Sequence, residues 1–130
     1  MDKAKLFFIV DDDADDIDFF SDALREVDPS IKCVSATNGE EALQKLKAWT
    51  GPLPDFIILD LNLPRMNGKK CLTEIKKTEI LNGIPVVIYS TATEKNIIEE
   101  MKTLGAAYFI SKPNRLSVLR DAIRHLLSFN

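Results

Sequence analysis

The residues best suited to chemistry are a few carboxylates, a hydroxyl and an ammonium, spread over four stretches of the chain. Asp11, Asp12 and Asp13 follow the apolar run LFFIV, and Asp60 follows FIIL. Ser90 and Thr91 follow VVIY, and Ser111, Lys112 and Pro113 follow YFI. Carboxylates crowded together repel, and at least one takes up a proton unless positive charge is added. Oxygen donors without histidine or cysteine suit a hard ion, and Mg²⁺ accepts a few carboxylates while keeping waters. A coordination position so retained can hold a phosphoryl oxygen. Lys112 would bring a second, mobile positive charge to such a group, and Ser90 a hydrogen bond.

For these residues to meet, the elements between them must place them on one rim. Short β-branched or aromatic runs occur at Leu6–Val10, Ile31–Ser35, Phe56–Leu59, Pro85–Tyr89 and Ala107–Ile110. Helical spacing fills the gaps: Ile17, Phe20, Leu24 and Val27 in the first, and Leu116, Leu119, Ile123 and Leu126 in the last. The middle helices are less regular, carried by Ala42, Leu43 and Leu46, by Cys71, Leu72 and Ile75, and by Ile97, Ile98 and Met101. Strict βα alternation with gaps long enough for right-handed crossovers predicts an α/β fold, a doubly wound five-stranded parallel sheet in three αβα layers. Asn38-Gly39, Gly51-Pro52, Asn67-Gly68, Asn82-Gly83 and Gly105 read as turns. In an open parallel sheet ligands bind at the carboxyl ends of the strands, where all the candidate residues fall.

Composition narrows the classes. The chain has 130 residues, 45% hydrophobic and 28% charged, the profile of one globular domain with a real core. Its net charge of −3 gives no basic footprint, so nucleic acid is not an expected partner. Apolar runs are too short to cross a bilayer and no leader pattern precedes the acids, so a cytoplasmic protein without a membrane partner is expected. Cys33 and Cys71 form neither a CxxC pair nor a zinc set, and read as small buried hydrophobes. The single histidine, His125, reads as surface, and Trp49 as a packing residue.

The stretches VDDD (10–13), LDLNLPRMNG (59–68), IPVVIYST (84–91) and GAAYFISKP (105–113), in this order, resemble the receiver domain of two-component response regulators. The resemblance covers the whole chain, taken as a single receiver over residues 1–130 with no output domain, and implies the flavodoxin-like form of the doubly wound fold. It also implies roles. Asp60 matches the phosphoacceptor, with Pro64 and Gly68 at the family's spacing. Asp11 and Asp12 match the acids of a Mg²⁺ site, which Mn²⁺ could also fill, and the backbone carbonyl of Asn62 matches a further protein ligand. Ser90 matches the switch hydroxyl, Thr91 would contribute its amide, and Lys112 matches the lysine that contacts the phosphoryl group. Phe109 takes the switch aromatic position, where the family often has tyrosine, so the ring is kept and the hydroxyl lost. The family also implies a cis bond between Lys112 and Pro113.

Six aspartates fall within residues 11–18, and most have plainer readings. Asp13, Asp15 and Asp16 suit the start of a helix, where carboxylates cap free amides; Asp18 and Asp22 read as solvated face. The resemblance implies a sensor histidine kinase or histidine phosphotransfer protein as donor. It implies a downstream protein target on the face of helix four, strand five and helix five, with Ile98, Tyr108, Ile110 and Arg115 as candidates. A monomer or weak dimer is expected. A chemotaxis-like switch, a phosphorelay intermediate and the partner of a photoreceptor kinase all remain open, as does a pseudo-receiver that binds without phosphorylation. A Mg²⁺-dependent phosphohydrolase is disfavoured, because Asn62 stands where such enzymes carry a second acid, and no enzymatic turnover of external substrates is expected.

Overall fold

The computed structural model describes residues 5–91 and 94–128. Five strands alternate with five helices: β1 Leu6–Val10, α1 Ala14–Val27, β2 Lys32–Ala36, α2 Gly39–Lys47 and β3 Phe56–Leu59, then α3 Gly68–Lys77, β4 Val86–Ser90, α4 Lys95–Thr103, β5 Tyr108–Ser111 and α5 Leu116–Leu127. All strand pairs are parallel, in the order β2-β1-β3-β4-β5. This is the doubly wound, flavodoxin-like order, in which the chain reverses direction across the sheet between β1 and β3.

Strand side chains alternate between faces, so each strand feeds two cores. Phe8, Val10, Ile57, Leu59, Val86 and Ile88 meet Ala42, Leu43 and Leu46 of α2, Cys71, Leu72 and Ile75 of α3, and Met101 of α4. Phe7, Ile9, Phe56, Ile58, Val87 and Tyr89 meet Phe20, Ala23 and Leu24 of α1 and Leu119, Ile123 and Leu126 of α5. The helical positions expected to be apolar are the ones that pack, except Ile98, which joins neither core. Each leucine, isoleucine, phenylalanine or methionine among those that pack, removed from water, contributes roughly 1.5–3 kcal/mol. α4 is the least embedded helix, with Met101 its one buried residue among those described. Cys71 is buried and its thiol is pushed up to about 12 by burial; Cys33, half-buried on β2, is pushed up to about 11.

Strands β1 and β3 have the expected bounds, while β2, β4 and β5 lie one residue later. The Ile31 amide closes a turn onto the Asp28 carbonyl, so Lys32 is the first residue of its strand. Pro85 has no amide to give to a ladder, and β4 starts at Val86. Asn38-Gly39 and Asn67-Gly68 are helix starts rather than turns. Each asparagine caps its helix, accepting from the amides of Glu41 and Lys70. The left-handed backbone expected of a turn glycine occurs instead at Gly51 (φ 84°) and Gly105 (φ 108°).

Candidate functional site

The rim is built by strand ends that run one ladder bond further. The Asp11 amide donates to the Ala36 carbonyl, the Asp60 amide to Val10, and the Lys112 amide to Ser90, all at 3.0–3.1 Å. These bonds fix the first residue beyond β1, β3 and β5 in register with its neighbours. Lys112 then has to reach across two strand spacings, roughly 10 Å, to meet Asp60. A long, unbranched side chain does so: its Nζ donates to Asp60 Oδ2 at 2.9 Å, to Asp11 Oδ2 at 2.7 Å and to Asp16 Oδ2 at 2.8 Å.

The second oxygens of the two buried carboxylates are held by backbone. Asp11 Oδ1 accepts from the Asp13 amide at 3.0 Å, and Asp60 Oδ1 from the Asn62 amide at 3.2 Å. The loop after Asp60 folds back so tightly that a Cβ on Gly68 would run into the Asp60 carbonyl oxygen and Leu61 Cα. Within it, the Met66 amide closes on the Pro64 carbonyl at 2.7 Å, with Arg65 forced to φ 67°. That left-handed backbone is uncommon for a residue with a side chain and is the strained point of the loop. The guanidinium of Arg65 pairs with Glu40 at 3.3 Å.

Three carboxylates bond one ammonium here, and a fourth, that of Asp12, lies beside two of them. Burial pushes the Asp11 carboxyl above its ordinary value; the Lys112 bond and the Asp13 amide pull it back only in part, and the charge of Asp60 adds to the rise. Burial works against the charge of Lys112 too, but its bonds to Asp11, Asp16 and Asp60 outweigh it and hold the ammonium above the ordinary lysine range. Asp11, Asp12 and Asp60 each place a carboxylate oxygen within 4.8 Å of the others. Hard oxygens in such a cluster, without sulfur or imidazole, fit a Mg²⁺ or Mn²⁺ ion.

The predicted residues are therefore partly assembled. Asp11, Asp12, Asp60 and Lys112 form one group. Ser90 is buried at the end of β4, opposite Ser111 on β5, and Thr91 follows it in an exposed position. Asn62 is exposed and touches Asp60 through its amide. Phe109, paired with Ile88, shares the sheet face of Ser90 and is half-buried, with Lys102 Nζ 6.0 Å from its ring centre. The expected cis bond at Lys112–Pro113 is corrected: no peptide bond among the described residues is cis. Trans is the lower-energy isomer by about 0.5–1 kcal/mol, and Lys112 makes all three carboxylate contacts from it.

Asp13 caps α1, accepting from the amides of Asp15 and Asp16. Asp16, read in the sequence as another capping acid, instead bonds Lys112. Side chains lean toward a helix's N-terminus, so a first-turn acid after β1 leans over the rim; that geometry is the signal that could have found it. Tyr89 was likewise hidden in a strand run. Its buried ring lies 5.4 Å from Lys112 Nζ, beneath the ammonium, and packs edge-on against Phe20.

A family model for the response regulator receiver domain matches residues 7–124. Over 91 residues the chain is 36% identical to the probable C4-dicarboxylate response regulator DctR of Bacillus subtilis, an alignment covering 70% of this chain and 38% of that protein. The chain thus spans well under half the length of this curated relative. Among solved structures it is similar to the phosphorylated cyanobacterial phytochrome response regulator RcpA, with TM-score 0.85 and 32% identity over 97% of this chain and 93% of that one. It is also similar to the Mn²⁺-bound form of response regulator Rcp1, with TM-score 0.82 and 26% identity over 96% and 93% of the two chains. With the sheet order, the acidic rim and the lysine in place, the chain belongs to the response regulator receiver domain family of two-component systems.

Proposed function

We propose that Asp60 accepts a phosphoryl group from a histidine kinase or histidine phosphotransfer protein in a Mg²⁺-dependent reaction, and that the modified domain signals through protein–protein contacts. The observation that carries this reading is the Lys112 ammonium 2.9 Å from Asp60, inside a group where Asp11 and Asp12 supply further oxygen donors. An Asp60 oxygen attacks phosphorus; an O–P bond forms while the P–N bond to the donor histidine breaks, its electron pair leaving with the imidazole. Lys112 follows the charge that develops on the phosphoryl oxygens, and the Ser90 hydroxyl and Thr91 amide bind them in the product. Asp11, Asp12, Asp60 and the Asn62 carbonyl would hold the Mg²⁺, which supplies the positive charge an excess of carboxylates withholds from an incoming phosphate.

The same assignment extends to the readout. Phe109 stands on the Ser90 face, so withdrawal of Ser90 toward a phosphoryl group leaves room into which the ring can turn. The surface it borders includes half-buried Ile98, Tyr108 and Ile110 and exposed Arg115. Tyr108 and Ile110 also pack against the α1/α5 core, whereas Ile97, not Ile98, packs on the other. Partner binding through this face should be lost on Arg115→Glu. No helix among the described residues is long and apolar enough to cross a membrane.

Beryllofluoride, a phosphoryl mimic, tests the site without a kinase. With Mg²⁺, ¹⁹F NMR should show bound fluoride in the wild type and none in Asp60→Asn or without the metal. A wild type that binds no beryllofluoride at saturating Mg²⁺ contradicts the reading.

A further inference from the structure

The three carboxylates around Lys112 are not equivalent. Asp11 and Asp60 belong to the oxygen cluster that, with Asp12, fits a divalent cation. Asp16 lies outside that cluster, yet its oxygen is 2.8 Å from the ammonium, as close as the 2.7 and 2.9 Å of the other two. A lysine ammonium has three N–H donors and no acceptor, so three carboxylates saturate it. Beneath it lies the Tyr89 ring, 5.4 Å away and held by Phe20, an aromatic face that attracts the cation. The ammonium is thus enclosed by β1, β3, α1 and a ring from β4.

Phosphoryl transfer loosens two of these anchors together. Asp11 and Asp60 would offer less charge to the lysine if they held a divalent cation. Once Asp60 carries the phosphoryl group as an acyl phosphate, its carboxylate charge is gone and the N–H that pointed at it turns to a phosphoryl oxygen. Asp16 undergoes neither change. Surface carboxylates usually contribute little, but here the lysine is only 11% exposed, so this pair is poorly screened from one side.

We propose that Asp16 is the standing anchor of Lys112, a positioning residue that keeps the ammonium on the rim while Asp11 and Asp60 give it up to the cation and the phosphoryl group. This deepens the reading of Asp60 as phosphoacceptor and rests on it. Asp16 acts through Lys112 and touches no reacting atom.

The test pairs a spectrum with a rate, using acetyl phosphate as donor so that no kinase docks on α1. In Mg²⁺-saturated protein, the side-chain ¹H–¹⁵N spectrum should contain a slowly exchanging Lys112 ammonium resonance, assigned by its absence in Lys112→Arg. It should persist in Asp16→Glu and in Asp18→Asn, an equal charge change on the exposed side of α1, and vanish in Asp16→Asn. The phosphorylation rate should fall about tenfold in Asp16→Asn, recover most of that in Asp16→Glu, and stay unchanged in Asp18→Asn. On a Lys112→Ala background, Asp16→Asn should change the rate no further. The proposal is overturned if the wild type lacks the resonance, if Asp16→Asn keeps both resonance and rate, or if its rate loss is as large without Lys112. Should no variant and no wild type be phosphorylated, the phosphoacceptor reading fails, and the ammonium spectrum alone decides on the anchor.

Discussion

Replacing Lys112 by methionine keeps the unbranched stem as far as Cε and removes the ammonium, leaving Asp11 and Asp60 buried without a counter-ion. Their side chains are 0% and 7% exposed, so this is the breaking of a buried ion pair, which costs about 3–5 kcal/mol. Asp16, 37% exposed, can be hydrated once its partner is removed and so adds little to this cost. Proton uptake limits the cost, since Asp11 already sits above its ordinary range through burial; we expect the low end, about 3 kcal/mol. With a urea slope of about 1.5 kcal/mol per molar, the midpoint should fall by about 2 M in EDTA. A carboxyl raised in the folded state costs stability above its folded pKa, and that cost fades as the pH falls through it. The deficit should therefore shrink as the pH falls from neutral through the raised value of the Asp11 carboxyl. It should shrink by at least half in excess Mg²⁺, because a cation at about 100 times its Kd contributes about 2.7 kcal/mol and no longer competes with the lysine. Urea titrations followed by circular dichroism, with EDTA and with Mg²⁺, measure all of this. Equal midpoints in EDTA, or a deficit that Mg²⁺ leaves unchanged, would refute the electrostatic account of the rim.

Three further outcomes follow from the same geometry. Gly68→Ala sets a methyl against the Asp60 carbonyl and Leu61 Cα, so the loop must shift; a loss of about 1–3 kcal/mol is expected by urea unfolding, and a change below about 0.5 kcal/mol would contradict the packing. Asp13→Ala removes the α1 cap and should cost about 1 kcal/mol while leaving acetyl phosphate labelling within twofold of wild type, which intact mass and unfolding curves together check. Lys112 is held above the ordinary lysine value, so its contribution is complete below about pH 10.4 and is lost as pH climbs beyond its folded value. The wild type should thus lose stability above that pH more steeply than Lys112→Met; parallel curves would show that the lysine is not so held.

Most of the fold was legible in the sequence, because period and punctuation agree over most of the chain. The run FIIL is apolar throughout, as a strand buried on both faces should be, and β3 is that strand. Ile31 misled by one residue because hydrophobicity reports burial, whereas its amide belongs to the preceding turn. The Asn-Gly pairs misled because asparagine serves turns and caps alike. Gly39 and Gly68 are instead required by close approach, to Met66 and to the backbone of Asp60 and Leu61. Of the site, the acids and lysine at strand ends were legible because the topology sends those ends to one rim. Asp16 was not, since an acid in the first turn of a helix looks the same whether it caps an amide or reaches across to Lys112. Tyr89 was not, since strand alternation marks it as core without saying what lies above its ring.

The central claim is that Asp60 is a metal-dependent phosphoacceptor, and intact-protein mass spectrometry tests it most directly. Incubated with acetyl phosphate and Mg²⁺, the wild type should gain the mass of one phosphoryl group, and Asp60→Asn or an EDTA-treated sample should gain none. An adduct that survives Asp60→Asn, or one that forms equally without a divalent cation, would contradict the account.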